Sequence, residues 1–225
     1  MGAICRLSNS LTGITMRQEM PGYMKRAVVF DFGGVIAEEG FREGLKAIAR
    51  ANGLDEVVFF EGARDLIYQT GYVTGTSDEE TYWQAVRLRF GLDESDENLR
   101  EQILKRFVVR PEMLSFASDL QKRGHTTGLL TDQTDWLYQL DREDGAGILM
   151  HFQFVFNSYD LHMSKRDKGL FRYVEQTLKT APEDILFVDD NPDNIQMAAQ
   201  RGWKAVLFWD YKTLKEEVVG FTTND

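Results

Sequence analysis

The stretch Lys25-Arg-Ala-Val-Val-Phe-Asp31-Phe-Gly-Gly-Val35 decides the fold. A short apolar run rich in β-formers ends at a carboxylate and is followed by Phe-Gly-Gly. This pattern predicts a buried strand that runs into a tight turn. Three later runs repeat it: Thr126–Thr131, Phe152–Asn157 and Asp184–Asp189. Lys204–Phe208 predicts a further strand. Continuous apolar strands are covered on both faces, which indicates a parallel sheet.

Helical patterns separate the strands. Pro111 to Arg123 places Leu114, Ala117 and Leu120 on one face, with Pro near its start and Gly124 as a stop. Lys168 to Lys179 repeats the spacing through Leu170, Phe171, Val174 and Leu178. Asn191 and Pro192 read as an N-cap and first helical residue, and Gly202 as a C-terminal cap. Strand–helix alternation predicts an α/β protein with a doubly wound, Rossmann-like parallel sheet. Residues 41–110 contain no convincing strand. Leu45/Ile48/Ala49, Tyr82/Val86/Phe90 and Leu99/Ile103/Phe107 fall at helical spacing, which predicts an all-helical module inserted after the first strand. The expected layout is a leader over 1–24, a core over 25–40 and 111–225, and the insertion over 41–110.

Composition bounds the function. Hydrophobic residues make up 43% of the 225-residue chain and charged residues 28%, an ordinary globular balance. The formal net charge is −10, and no Lys/Arg run suggests a nucleic-acid partner. No apolar run approaches the roughly 20 residues needed to span a bilayer. Cys5 is the only cysteine, so an internal disulfide is excluded. The leader lacks a secretory pattern, and Met16, Met20 and Met24 each offer a later start. The expected location is the cytoplasm. Oligomeric state has no signal in the sequence.

Ligands of open α/β sheets bind beyond the carboxyl ends of the strands. The first predicted strand ends at Asp31, the second at Thr131-Asp132 and the fourth at Asp189-Asp190; Ser164 and Lys165 follow the third. Carboxylates from separate segments beside one lysine suit phosphoryl transfer through an aspartyl-phosphate. A hard cation such as Mg²⁺ offsets the repulsion between carboxylate and phosphate, and Asp31 and Asp190 can each give it one oxygen. Amides of the Phe32–Gly34 turn, the Thr131 hydroxyl and Lys165 can hold phosphate oxygens.

Taken in order, Asp31-Phe-Gly-Gly-Val35, Leu129-Leu-Thr131-Asp132, Ser164-Lys165-Arg166-Asp167 and Phe187-Val-Asp189-Asp190-Asn191 resemble the four motifs of the haloacid dehalogenase (HAD) superfamily. Asn194, Ala198 and Gly202 extend the fourth, and the helical insertion resembles a C1-type cap. The resemblance spans roughly residues 25–208. It implies Asp31 as nucleophile and metal ligand, the Gly33 carbonyl and Asp190 as further metal ligands, and Asp189 behind them. It implies Thr131 and Lys165 on the phosphate, with Phe32, Gly33 and Asp132 around it. The implied activity is Mg²⁺-dependent hydrolysis of a small phosphomonoester. A metal-free dehalogenase and a catalytically weak binding protein of the same fold are the alternatives.

Two positions depart from that pattern. Gly33 stands where the family usually carries a second Asp as general acid, and Asp132 stands where Asn is common. Asp132, Glu38 and Glu39 are the candidates to replace the missing acid. Tyr72, Trp83 and Trp136 are candidate pocket aromatics, although a helical aromatic is more often core. His125, His151 and His162 lack metal-ligand spacing and read as structural.

Overall fold

The computed structural model describes residues 26–143 and 147–223, so the expected leader and Cys5 lie outside the described residues. Five strands, β1 (Ala27–Phe30), β2 (Thr126–Thr131), β3 (Phe154–Asn157), β4 (Ile185–Asp189) and β5 (Lys204–Leu207), form one sheet. Its order is β3-β2-β1-β4-β5 and every pairing is parallel. The expected strand at Phe152 starts two residues later, because Ile148–His151 forms a 3-10 turn that Phe152 caps.

Between β1 and β2 the chain forms α1 (Gly40–Ala51), α2 (Glu56–Gln69), α3 (Glu79–Phe90), α4 (Asp96–Leu104) and α5 (Pro111–Lys122). The rest of the chain adds α6 (Trp136–Glu143), α7 (Ser158–Leu161), α8 (Leu170–Leu178), α9 (Pro192–Gln200) and α10 (Tyr211–Thr223). Periodicity marked α5 and α8 in the sequence, and capping residues marked α9. It did not mark α6, which is short, or α10, whose polar run hides Leu214 and Val218.

The pleat of β1 explains the layering. Successive strand side chains point to opposite faces. Val28 and Phe30 join one apolar cluster with Leu129, Val188, Phe116 of α5 and Val218 of α10. Ala27 and Val29 join another with Leu130, Phe187, Phe171 of α8 and Trp203. The sheet is thus covered on both sides.

Asp55, Asp78 and Ser95 cap α2, α3 and α4 by accepting hydrogen bonds from first-turn amides. α1 and α4 cross closely at Gly44, where an added Cβ would lie 2.6 Å from the Ile103 Cα. The segments that enter and leave these helices run side by side: the Glu38 amide donates to the Val108 carbonyl, and the Arg110 amide to the Ile36 carbonyl, both at 2.9 Å. Arg110 also fastens the turn after β1. Its Nη1 donates to the carbonyls of Gly34 and Val35 at 2.8 Å and of Ala37 at 3.0 Å. Its Nη2 lies 3.0 Å from Glu38.

Replacing Arg110 by Met should leave these buried carbonyls without a donor. Urea unfolding is expected to show a loss of about 1–3 kcal/mol. A loss indistinguishable from zero would mean that the turn does not depend on Arg110.

Candidate active site

β1 lies between β2 and β4, so the residues that follow these three strands are brought together. Asp31 directly follows β1, and its amide donates to the Val188 carbonyl at 2.8 Å. Thr131 is the last residue of β2 and Asp189 the last of β4. Lys165 reaches the same point from the loop after α7. Asp31, Gly33, Thr131, Asp132, Lys165 and Asp190 all line one cavity of about 570 Å³. Phe32 and Asp189 do not line it: Phe32 stacks on Phe107 at 5.5 Å, and Asp189 lies fully buried behind Lys165.

The Lys165 ammonium sits 2.7 Å from Asp31 and 2.7 Å from Asp189. Asp189 also accepts from the Asn191 amide at 2.8 Å and the Asn194 side chain at 2.9 Å. Burial alone would lower the Lys165 pKa, but the charges of Asp189, Asp31 and Asp132 outweigh it and hold the ammonium firmly protonated. Oxygens of Asp31, Asp189 and Asp190 all lie within 4.8 Å of one another. One ammonium among three carboxylates leaves excess negative charge in a poorly solvated place. Burial pushes the Asp31 carboxyl well above the usual range; Lys165 opposes this, and Asp189 and Asp190 add to it. Burial and Asp189 likewise raise Asp190. An all-oxygen, net-negative cluster fits a hard divalent cation.

Gly34 makes this cluster possible. Its φ is +79°, and an added Cβ would sit 2.3 Å from Asp190 Oδ2. Only a residue without a side chain lets the turn approach the carboxylate that closely. Gly33 is different: an added Cβ there would meet Phe107 Cε1 at 3.6 Å and Glu39 Oε1 at 3.8 Å, which is ordinary contact. The space a side chain at position 33 would point into is thus bordered by the Glu39 carboxyl.

The three candidates for the missing acid are placed unequally. Glu38 is exposed, paired with Arg110 and away from the cavity. Asp132 lines the cavity, but one oxygen accepts from the Lys165 amide and the other from the Tyr68 hydroxyl, each at 2.9 Å. Glu39 lines the cavity, and its Oε1 caps α1 by accepting from the Arg42 amide at 3.2 Å. Burial raises its carboxyl; the Arg42 amide and charge oppose this, and Asp190 reinforces it.

Of the candidate aromatics, Trp136 lines the cavity, whereas Tyr72 and Trp83 are core residues packed on it at 5.6 and 6.0 Å. His151 bonds Ser118, and His162 bonds the Thr74 carbonyl. His125 is buried and, like them, lines no part of the cavity. Tyr68, Arg42, Arg64 and Arg166 line the cavity and were not singled out from the sequence. Arg166 lies within the third motif, where no role was given to it. The other three lie on α1 and α2, where polar residues at helical spacing read as a solvated face.

The family profile for haloacid dehalogenase-like hydrolases matches residues 25–202. A phosphoserine phosphatase from Thermus thermophilus is 29% identical over 223 residues, covering 90% of this chain and 87% of that protein. The rat bifunctional epoxide hydrolase 2 is 31% identical over 118 residues; the match takes in 50% of this chain but spans only 21% of that protein. Among solved structures, a HAD family enzyme of Bacteroides thetaiotaomicron in complex with magnesium and inorganic phosphate superposes with a TM-score of 0.65 at 19% identity, covering 85% of this chain and 99% of that one. The L-2-haloacid dehalogenase of Xanthobacter autotrophicus superposes with a TM-score of 0.60 at 19% identity, covering 87% and 83%. The four motifs, the sheet order and the profile match agree: this chain belongs to the haloacid dehalogenase-like hydrolase family.

Proposed function

We propose that the chain is a Mg²⁺-dependent phosphatase that hydrolyses a small phosphomonoester through an aspartyl-phosphate on Asp31. The observation that carries this reading is the cluster of Asp31, Asp189 and Asp190 within 4.8 Å, neutralised only in part by Lys165. Dehalogenation would use the same nucleophile without a metal, and the extra carboxylate at Asp190 has no purpose in it. The phosphoserine phosphatase of Thermus and the magnesium and phosphate held by the Bacteroides enzyme support the phosphatase reading.

Mg²⁺ held by Asp31, the Gly33 carbonyl and Asp190 would offset the repulsion between the attacking carboxylate and a phosphate dianion. Lys165 orients Asp31 and, with the Thr131 hydroxyl, receives phosphate oxygens. Asp189 fixes Lys165. Asp132 positions the Lys165 loop and ties it to Tyr68 of the helical insertion, residues 41–110, which acts as the cap. An Asp31 oxygen attacks phosphorus, and the ester oxygen departs with a proton from Glu39. Glu39, now a carboxylate, takes a proton from the water that attacks the aspartyl-phosphate, which releases phosphate and restores Asp31. A cytoplasmic location completes the reading; no helix among the described residues is long and apolar enough to cross a membrane.

p-Nitrophenyl phosphate should be turned over with Mg²⁺, not with EDTA, and not by Asp31→Asn. Metal-independent turnover, or activity in that variant, would overturn the reading. A chain that turns over no phosphomonoester would instead be a binding protein.

Glu39→Gln should slow alkyl phosphates ~10²–10⁴-fold. It should hardly affect kcat/KM for p-nitrophenyl phosphate, whose leaving group needs no proton and whose kcat/KM does not include the later hydrolysis of the aspartyl-phosphate. Because Glu39 must be protonated to donate, alkyl phosphate turnover should fall as pH rises through its raised pKa, and Glu39→Gln should lack that limb. Ordinary contacts at Gly33 leave room for a side chain, so Gly33→Asp should restore alkyl phosphate activity to Glu39→Gln. Equal loss of kcat/KM on both ester types, with no rescue, would reject Glu39 as the proton donor.

A further inference from the structure

Three guanidinium groups line the cavity that holds Asp31: Arg42 on α1, Arg64 on α2 and Arg166 next to Lys165. Arg42 and Arg64 lie over the same ring, Phe60, at 5.6 and 5.4 Å from its centroid. Arg166 lies over Tyr68 at 3.5 Å. Among the described residues, no carboxylate comes within 4.0 Å of the Arg42 or Arg166 side chain, although the charge of Arg42 is felt by Glu39 and Asp190. Arg64 reaches only its neighbour Asp65, at 3.4 Å, in a pair about two-fifths exposed. Such a pair holds a guanidinium weakly.

These positive charges are not needed for the phosphoryl group. Lys165, Thr131 and the backbone of the turn already face that end in the proposed mechanism. Stacking on aromatic rings orients a guanidinium while leaving its donors free. A planar, fork-like donor matches an oxyanion in a bidentate way. The chain as a whole carries −10 and repels anions, so a local group of arginines compensates where an anion must enter. A neutral polyol would leave three cationic groups unused.

We infer that the substrate is a phosphomonoester whose leaving group carries a second oxyanion, a carboxylate or a phosphate, received by Arg42, Arg64 and Arg166. This rests on the reading of the site as a phosphatase. Arg42, Arg64 and Arg166 are then specificity-determining residues.

The test compares esters matched except for the second charge, with Mg²⁺ and the full chain. 3-Phosphoglycerate is set against glycerol 3-phosphate, and fructose 1,6-bisphosphate against fructose 1-phosphate; whichever pair shows the preference identifies carboxylate or phosphate. In at least one pair the anionic member should have kcat/KM about tenfold higher or more. Arg64→Met and Arg166→Met should shrink that ratio toward one, chiefly through KM, and Arg166→Lys should keep part of it. Equal or better turnover of both neutral members by the wild type would overturn the inference and leave the phosphatase reading standing. An unchanged ratio in both Met variants, with folding verified by circular dichroism, would also overturn it. No turnover of any ester, p-nitrophenyl phosphate included, would remove both.

Discussion

The Lys165 ammonium is shared between two buried carboxylates, Asp31 and Asp189, at 2.7 Å each, while a third, Asp190, stands beside them. Burying ions is costly unless they are paired and hydrogen-bonded. Asp189 meets that condition through Lys165, Asn191 and Asn194. Asp31 meets it in part, and Asp190 feels the Lys165 charge without an ion pair to it. The remaining charge imbalance is the physical reason to place a divalent cation between Asp31 and Asp190. The rest of the site is arranged around these carboxylates.

That arrangement depends on backbone more than on side-chain packing. Gly34 lets the turn after β1 approach Asp190 where any Cβ would collide. Arg110 holds three carbonyls of the same turn from the far end of the helical insertion. Asp132 joins the Lys165 loop to Tyr68 on α2. Both connections run from residues beside Asp31 to the insertion or its exit segment, so a change in how the insertion sits would be felt at Asp31 and Lys165. Glu39, at the start of α1, lies on the same boundary.

The sheet and the anionic cluster were legible in the sequence because both follow from local pattern. An apolar run ending in a carboxylate gives a strand and a site residue at once, and parallel pairing then gathers the strand ends. Asp31, Thr131, Asp189 and Asp190 were read in this way, and Lys165 from the motif that follows the third strand. Periodicity had no means of finding Tyr68 or Arg64, because it reports which helical face is buried in apolar contacts and not which residues line a cavity. Asp132 was read as a phosphate neighbour; its hydrogen bonds to Tyr68 and the Lys165 amide come from residues 64 and 33 positions away, a separation no local pattern encodes. The choice among Asp132, Glu38 and Glu39 needed the direction of the absent side chain at Gly33, which is a three-dimensional quantity.

A cation between Asp31 and Asp190 is what the proposed site depends on, and calorimetric titration of the full chain with Mg²⁺ addresses it most directly. One ion should bind per chain at neutral pH, and Asp31→Asn and Asp190→Asn should each abolish or strongly weaken the isotherm. A chain that takes up no Mg²⁺, or that binds it equally well after both substitutions, would contradict the account.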